Sequence, residues 1–445
     1  MKKRDKVVIF WFRRDLRWED NTALFKALNS GIPVVPIFIF DKKLLTDLAT
    51  PPKDRRVQFI YEKVIEIHKY FQKNFNSGIM MFYSTPIEVF QQLFESFEIV
   101  GVYYNRDYEP GAIQRDEEVK KFFKAYGIDC FDFKDIVIFE PEEILTPDGC
   151  PYKVYTPYSK EWKKKFYSVQ IDTFPSEKHL YNLFKFSTPP KEIPYDELGF
   201  RYEKNLVFPH PNIDSNILIN YHRTRDFPCI DNGTTRLSLH LRFGTISVRK
   251  VLTLAKKYNL KLLDELIWRE FYQSLLYHFP WSASNNFKRS YDNFQWNYDE
   301  KIFERWKSGE TGFPLIDAGM RELNETGYMH NRIRMVVANF LTKILMMDWR
   351  LGETYFREKL LDYEMASNVG NWQWAAGTGA DAAPYFRIFN PNLQWKKFDP
   401  DSIYVKKWLP EFSPQSFIKP IVNFEEQKEK YLNLMKSFKQ QRLNI

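Results

Sequence analysis

The first 140 residues alternate short apolar runs with amphipathic segments, and this alternation constrains the fold more than any other feature of the chain. The apolar runs are rich in β-branched and aromatic residues, which predicts buried strands over 7–12, 34–40, 79–83, 99–104 and 128–133. Apolar spacing of three to four residues predicts helices between them, over 54–75, 86–97 and 112–126, with a shorter one over 20–28. Strands that alternate with helices predict a doubly wound, parallel five-stranded sheet.

Residues 141–445 lack this alternation and divide into two regions. Prolines are concentrated in residues 141–211, where apolar periodicity weakens, which predicts a long connection. Residues 212–445 instead show helical spacing, for example over 262–276, 314–324 and 335–347. We therefore predict an α/β domain over 1–140, an interdomain connection over 141–211 and a large all-helical domain over 212–445.

The helical region combines a basic surplus with most of the tryptophans. The chain has 65 Lys+Arg against 57 Asp+Glu, a net charge of +8, and most of this surplus lies in residues 212–445. Lys and Arg contact phosphates while aromatic rings stack on bases, so this composition is typical of nucleic-acid binding. A surplus of this size also occurs on ordinary solvated surfaces, and charge alone leaves both interpretations open.

Several classes of protein are disfavoured by what the chain lacks. Cys130, Cys150 and Cys229 have no close pairing and no zinc-type spacing, so we predict no disulfide framework, no metal site and a cytoplasmic location. No apolar run approaches the length of a membrane span, and neither a G-x-x-x-x-G-K-[ST] nor a G-x-S-x-G motif occurs. We therefore predict that the chain is not a membrane protein, a P-loop NTPase or a serine hydrolase.

Three short segments carry candidate chemistry. Residues 233–238 offer hydroxyls, backbone amides and a guanidinium, enough to hold a diphosphate, although such a segment also serves as a helix cap. Glu265 and Trp268 lie one helical turn apart, a carboxylate beside an indole, and Asn331 and Met335 place an amide beside a thioether. Taken singly, each pair is equally well explained as a cap, a surface ion pair or core packing.

Five segments spread over the chain are informative together: 11–17 with Asp20-Asn21, 233–238, 265–272, 330–335, and 361–391 with its Asn371-Trp372-Gln373-Trp374 run. Their joint occurrence resembles the cryptochrome/photolyase family, and most closely its class I cyclobutane pyrimidine dimer photolyases. The resemblance spans nearly the whole chain. It implies an N-terminal α/β antenna domain and a C-terminal helical domain that encloses a folded FAD.

The resemblance also implies which residues bind FAD. Arg334 would pair with Asp362 beside the isoalloxazine ring, and Asn368 would face flavin N5. The full implied set is Tyr221, Thr234, Thr235, Arg236, Leu237, Ser238, Arg334, Asp362, Tyr363, Glu364 and Asn368. Tyr363, Glu364 and Val369 depart from the usual family pattern, so the local flavin contacts are expected to differ while binding survives.

The implied reaction is light-dependent repair of DNA. Reduced FAD, excited by blue or near-UV light, would transfer an electron to a cyclobutane pyrimidine dimer and split it back to monomeric pyrimidines. Glu265 and Asn331 would hydrogen-bond the dimer carbonyls. The lesion cleft would be lined by Glu265, Trp268, Arg269, Tyr272, Asn331, Met335 and Trp374, and Trp296, Trp349 and Trp372 would conduct electrons from the surface to the flavin.

The resemblance leaves three matters open. A second, antenna chromophore could be a folate, as Tyr108-Glu109 suggests, a deazaflavin, as Asp107 and Arg242 suggest, or FMN. Folate users tend to carry lysine where this chain has Ala283. The alternative functions are a blue-light sensory cryptochrome and a six-four photoproduct photolyase. We expect a monomer that binds pyrimidine-dimer DNA, with no obligate protein partner and no membrane association.

Overall fold

The computed structural model describes residues 4–48, 54–211, 213–413 and 417–443. The chain forms two compact units. The first, called the sheet unit, contains Met1–Glu140, Lys164–Pro211 and Leu237–Leu254, and the second, called the helical unit, contains Pro141–Lys163, Asn212–Arg236 and Ala255–Ile445. Among the described residues, no helix has the length and apolar character needed to cross a membrane.

A parallel five-stranded sheet forms the core of the sheet unit. Its strands are β1 (Asp5–Phe12), β2 (Val34–Asp41), β3 (Met80–Ser84), β4 (Phe97–Asn105) and β5 (Asp129–Phe133), in the spatial order β3-β2-β1-β4-β5. Strands β1 and β2 are almost entirely buried, which is why they occur as continuous apolar runs rather than alternating ones. The strand order reverses between β1 and β4, where sheets of this kind form a ligand-binding crevice at their carboxyl ends.

At least half of the helices that the structure describes begin with a capping side chain. Asn21 accepts a backbone N–H of the first helix, and Thr85 and Glu88 form a capping box on the fourth. In chain order the helices are α1 (Thr22–Leu28), α2 (Lys42–Leu48), α3 (Arg55–Phe75), α4 (Pro86–Ser96), α5 (Pro110–Lys124), α6 (Tyr155–Ser168), α7 (Ser215–Thr224), α8 (Ser238–Arg242), α9 (Val248–Tyr258), α10 (Leu260–His278), α11 (Glu300–Ser308), α12 (Pro314–Thr326), α13 (Asn331–Asn339), α14 (Trp349–Lys359), α15 (Met365–Ala376), α16 (Pro391–Phe398), α17 (Ile403–Trp408) and α18 (Phe424–Leu443).

The predicted fold class is confirmed. All five predicted strands are present with bounds that differ by at most two residues, and so are the four predicted helices of the first 140 residues, as α1, α3, α4 and α5. Helix α2 was not predicted, because Lys42–Leu48 follows β2 directly and is too short for a clear apolar period. The assignment of 1–140, 141–211 and 212–445 as domains stays a prediction; residues 141–211 contain α6 and 3₁₀ helices at Pro141–Glu143, Ser176–Lys178, Leu180–Asn182 and Tyr195–Leu198.

One helix prediction was wrong in its extent. The apolar spacing over 335–347 predicted one helix, whereas α13 ends at Asn339 and continues as a π-helix over Phe340–Ile344. Leu345 donates its backbone N–H to Phe340, five residues back, and Met346 then adopts a left-handed φ of 55° that no helix can contain. The apolar period survives in this segment because the residues remain in the core, not because they stay helical.

Two glycines allow the helices of the helical unit to approach closely. A Cβ atom at Gly352 of α14 would lie 2.1 Å from the ring of Trp372 on α15, and one at Gly370 of α15 would lie 2.1 Å from the ring of Tyr272 on α10. Both rings therefore lie directly against a neighbouring backbone. This packing brings α10 and α14 against α15, and α14 and α15 share a core that contains the buried Trp306, Trp349 and Trp372.

Candidate functional site

Helix α10 carries four of the predicted lesion-binding residues along one face. Its first turn is closed by Asn259, whose side chain accepts the backbone N–H of Lys261. From there, the candidate side chains follow the spacing i, i+3, i+4 and i+7, which aligns them on a helix. They are Glu265, Trp268, Arg269 and Tyr272.

The carboxylate of Glu265 is held by a neighbouring arginine. Arg225, at the end of α7, forms an ion pair with it and lies 3.7 Å (Nε to Oδ1) from Asp226. Arg332 donates to the same Asp226 oxygen over 2.8 Å. Burial raises the pKa of Glu265, and Arg225 opposes this effect. These four side chains alternate in charge, and the row fixes the orientation of Glu265.

Trp268 is stacked on an aromatic side chain that the sequence had not singled out. The ring of Tyr155 lies parallel to it, with centroids 3.5 Å apart and an interplanar angle of 3°. Phe271 and Tyr272 approach the indole from the same helix, at 5.8 and 5.7 Å between centroids. Trp268 nevertheless stays partly exposed, so its indole remains accessible to a ligand.

Arg269 and Glu364 came from different predicted sets, and the structure brings them together. Arg269 donates Nη2 to Oε1 of Glu364 over 2.8 Å, and Gln273 donates Nε2 to the same oxygen over 3.0 Å. The Arg269 and Glu364 side chains are only 11% and 6% exposed. The ion pair joins α10 to the start of α15. That Arg269 contacts DNA and that Glu364 contacts FAD both stay predictions.

Asn331 and Met335 lie at the start of α13. The side chain of His330 caps this helix by accepting the backbone N–H of Arg332. Asn331 is exposed and Met335 is partly exposed one turn later, on the same face. Both side chains are therefore available to a ligand, as the lesion-binding prediction requires.

Helix α15 carries Asn368 and Trp374. The Asn368 amide donates Nδ2 to the backbone oxygen of Glu353 over 3.2 Å and to its Oε1 over 3.0 Å. Trp374 stacks on Phe389, with centroids 6.5 Å apart, and lines a cavity with Tyr272 and Asp381. Neighbouring side chains hold the segment before Phe389: Asn339 accepts the Phe389 backbone N–H, and the Nζ of buried Lys343 donates to the carbonyls of Pro384 and Arg387.

Arg334 and Asp362 form the predicted ion pair. The Nη2 of Arg334 lies 2.9 Å from Oδ2 of Asp362, whose side chain is only 4% exposed. The ring of Tyr328 lies next to this pair, with the guanidinium of Arg334 5.7 Å and that of Arg236 5.2 Å from its centroid. Arg236 adopts a left-handed φ of 50°, which is uncommon outside glycine and often marks a functional loop.

Comparison with known proteins identifies the family. The family described as "FAD binding domain of DNA photolyase" matches residues 262–442, and the family described as "DNA photolyase" matches residues 8–178. The deoxyribodipyrimidine photo-lyase of Alkalihalophilus pseudofirmus is 35% identical to this chain over 97% of its length and 93% of the relative's. The chain belongs to the DNA photolyase family. FAD is therefore its cofactor.

Two solved photolyase structures support this assignment. A bacterial class III photolyase from Agrobacterium tumefaciens has a TM-score of 0.86, 31% identity, and 99% coverage of both chains. An archaeal photolyase from Sulfolobus tokodaii, solved with two FAD molecules, has a TM-score of 0.82, 34% identity, and coverage of 97% of this chain and 100% of that one. The family relation thus extends over essentially the whole fold.

The residues around Asp362 fit the photolyase cofactor. The Oδ1 of Asp362 is buried and has no hydrogen-bond partner among the described residues, a costly state that an N–H or hydroxyl group of a ligand would relieve. The nearby guanidinium groups of Arg334 and Arg236 suit the negative charge of a flavin dinucleotide.

Of the other predicted FAD contacts, Tyr221 and Thr235 are buried, Thr234 is partly exposed, and Tyr363 donates to Glu353 over 3.3 Å. Leu237 is buried and Ser238 begins α8, both in the sheet unit.

The carboxyl group of Glu322 makes the free energy of unfolding depend on pH. It accepts the Tyr404 hydroxyl over 2.6 Å, and burial raises its pKa from 4.5 to about 7, against the opposing effects of Tyr404, His330, Arg236 and Arg334. The folded state therefore binds more protons than the unfolded state between these pH values, and the free energy of unfolding should fall as pH rises from 4.5 to about 7. Urea unfolding should show that Glu322→Gln reduces this decrease, to which Asp317, whose pKa burial raises to about 6, also contributes.

The surface residue Glu411, which pairs with Arg321, provides the control for that experiment. Glu411→Gln should leave the decrease between pH 4.5 and 7 in place. An equal pH slope in the Glu322→Gln variant and the unmodified protein would show that Glu322 does not titrate in this range.

The three tryptophans predicted to conduct electrons have different surroundings. Trp372 contacts Phe356 at 5.0 Å and Trp306 at 6.3 Å between centroids. Trp349 is buried and donates its indole N–H to Asn286 over 2.9 Å. Trp296 is partly buried, and the backbone of the next residue, Asn297, bonds to Met346 near the start of α14. The order of electron transfer among these rings stays a prediction.

The candidate antenna residues lie after β4 in the sheet unit. Asp107 accepts Arg14 Nη1 over 3.1 Å, and Glu109 pairs with both Arg14 and Arg242, over 3.2 and 3.1 Å. Burial opposes ionisation of Asp107, yet Arg14 and Arg242 lower its pKa. Ala283 lies in a 3₁₀ helix of the helical unit, over Pro280–Ala283. A second chromophore in this photolyase, and its identity, therefore stay open.

Sequence reasoning missed the residues that orient the predicted ones. Arg225 holds Glu265, Tyr155 stacks on Trp268, Glu353 bonds Asn368, and Trp306 contacts Trp372. All four partners lie more than 14 residues away along the chain, beyond the reach of helical spacing. A signal existed only for Trp306, which follows Phe303 by one turn on the apolar face of α11.

Proposed function

We propose that this photolyase splits cyclobutane pyrimidine dimers in DNA under blue or near-UV light. The observation that carries the proposal is the face of α10, where Glu265 and Trp268 lie one turn apart and remain partly accessible, on a helix that packs against α15 with its Asn368 and Trp374. A carboxylate beside an indole suits a flat, polar nucleobase. The relatives named deoxyribodipyrimidine photo-lyase support the same substrate.

Binding of the lesion requires the dimer to leave the DNA helix. Photolyases are among the enzymes that flip a target base, and a distorted, poorly stacked lesion costs less to extrude. Trp268 and Trp374 then pack against the two bases, and stacking on an aromatic side chain contributes about 1–3 kcal/mol per base. Met335 fills the remaining apolar space, since its flexible thioether adapts to an irregular surface.

The polar residues of the site stabilise charge on the lesion. Glu265 and Asn331 hydrogen-bond the carbonyl groups of the dimer, where negative charge develops during ring opening. Only a protonated carboxyl group can donate such a bond; burial raises the pKa of Glu265 in that direction, and the ion pair with Arg225 opposes it. Arg225 and Arg332, already at this end of α10, provide positive charge for the backbone phosphates.

The cofactor residues complete the mechanism. When bound, FAD supplies a photoexcitable electron donor, which a dimer needs because it is stable in the dark. Asp362, paired with Arg334, would accept a hydrogen bond from the cofactor through Oδ1, which has no partner among the described residues. Asn368 donates its amide N–H groups to Glu353, which leaves its Oδ1 as an acceptor for a flavin N–H.

A monomeric state and a cytoplasmic location remain parts of the proposal.

The decisive experiment illuminates reduced protein with two oligonucleotides side by side. One contains a cyclobutane thymine dimer and the other a six-four photoproduct, and identical mixtures are kept in the dark. We expect light to restore the dimer-containing strand, measured by chromatography, and to leave the six-four strand unchanged. Restoration of the six-four strand alone would identify the other repair activity, and restoration of neither would support a sensory function.

A further inference from the structure

Tyr155, the first residue of α6, lies behind the proposed base-stacking tryptophan. Its ring is parallel to the Trp268 indole, with 3.5 Å between centroids and 3° between planes. At this distance the two rings are in van der Waals contact, and one face of the indole is covered. Trp268 remains partly exposed, so a base can stack only on what Tyr155 leaves free.

Three further contacts immobilise Tyr155. Its hydroxyl donates to the backbone oxygen of Asp264 over 3.1 Å, and its backbone N–H donates to Oδ2 of Asp381 over 3.1 Å. Phe271 meets the ring edge-on, with centroids 5.8 Å apart. The side chain is therefore attached to α10 at the residue preceding Glu265, and the backbone of Tyr155 is attached to the loop after α15.

These contacts link Trp268 and Trp374, the two aromatic side chains that are proposed to pack against the lesion. Asp264 precedes Glu265 on α10, and its carboxylate is itself bonded to Lys163 of α6 over 2.6 Å. Asp381 lines the same cavity as Trp374. A residue with three side-chain contacts and one backbone contact of this kind has little freedom left, so it can fix the plane of Trp268 relative to Trp374 without touching the base itself.

We infer that Tyr155 is a positioning residue that backs Trp268 and presents the free face of its indole to the flipped base. This inference rests on the proposed function and adds a source of lesion specificity to it. A preorganised indole does not lose side-chain entropy when the dimer binds, so the stack favours dimer-containing DNA. Undamaged DNA does not insert a base into the site, and its affinity is independent of Tyr155.

The test compares Tyr155→Leu and Tyr155→Phe in the FAD-loaded protein, in the dark to prevent repair. The probes are a duplex with one cyclobutane thymine dimer and the undamaged duplex of the same sequence. Tyr155→Leu should weaken binding of the dimer duplex by about two- to tenfold, the range expected for one aromatic pair, and leave the undamaged duplex unaffected. Tyr155→Phe keeps the ring and should restore most of the affinity.

A double-mutant cycle separates positioning from general stability. In a Trp268→Ala background, Tyr155→Leu should have no further effect on dimer binding, because the stacking partner is gone. Tyr158 provides the matched control, since it is buried on the same helix and packs on Phe271. Tyr158→Leu should change the thermal stability without changing the ratio of dimer to undamaged affinity.

Several outcomes would overturn the inference. Equal losses for both duplexes, or for Tyr155→Leu and Tyr158→Leu, would show a structural role only. Tighter dimer binding by Tyr155→Leu would show that the tyrosine occupies the place of a base and must be displaced. Failure of the proposed function is recognised separately, because the unmodified protein would then show no preference for the dimer duplex.

Discussion

Replacing Glu265 by alanine should lower the combined efficiency of dimer binding and light-driven repair by about 10- to 100-fold. The lost bond joins a carboxyl group to a carbonyl oxygen on which charge develops, and hydrogen bonds of this kind contribute about 1.5–3 kcal/mol. The variant also leaves the guanidinium of Arg225 without its partner on α10. Dimer affinity measured in the dark, and the repaired fraction per absorbed photon, would quantify the loss.

The flavin spectrum should hardly change in this variant, because Glu265 belongs to the predicted lesion contacts and not to the Asp362 region. Glu265→Gln keeps a hydrogen-bonding group and should retain part of the activity. Asp264→Asn alters the preceding carboxylate, which bonds Lys163 and Lys261, and should leave repair almost intact. Full repair by Glu265→Ala would show that the carboxylate does not bind the dimer.

The sheet could be predicted from the sequence because its strands are buried on both faces. Continuous apolar runs such as 7–12 and 34–40 have few alternative folds, and the bounds of β1 and β2 follow them closely. The end of α13 could not be predicted in this way. An apolar period shows that a segment is buried, whereas the change to a π-helix at Phe340 depends on hydrogen bonds that the period does not encode.

The candidate site was predictable to the extent that its residues lie in short motifs. The Arg334–Asp362 pair and the common face of Glu265 and Trp268 both occur in the structure. Partners distant in the chain were not predictable: Tyr155 precedes Trp268 by more than a hundred residues, and only the tertiary fold stacks the two rings. The pairing of Arg269 with Glu364 was also not predicted, because the two residues are distant in the chain and no helical or strand period relates them.

Replacing Trp372 by phenylalanine should nearly abolish photoreduction of oxidised FAD by an external reductant, while chemically reduced protein should still repair dimers. Phenylalanine is much harder to oxidise than tryptophan, so the variant cannot relay an electron towards the cofactor. The ring of Trp372 lies against Gly352 and Phe356, and the smaller side chain leaves a void there. Thermal unfolding must therefore accompany the kinetics, which are followed by flavin absorbance during illumination.

Two further variants test the route beyond Trp372. The predicted chain continues to Trp349 and Trp296, yet the indole of Trp306 lies within 6.3 Å of Trp372 between centroids. Trp349 donates its N–H to Asn286, a polar partner that stabilises positive charge on an oxidised indole, whereas the buried N–H of Trp306 has no partner in the described residues. Trp349→Phe should therefore slow photoreduction far more than Trp306→Phe. The opposite order would redirect the route through α11.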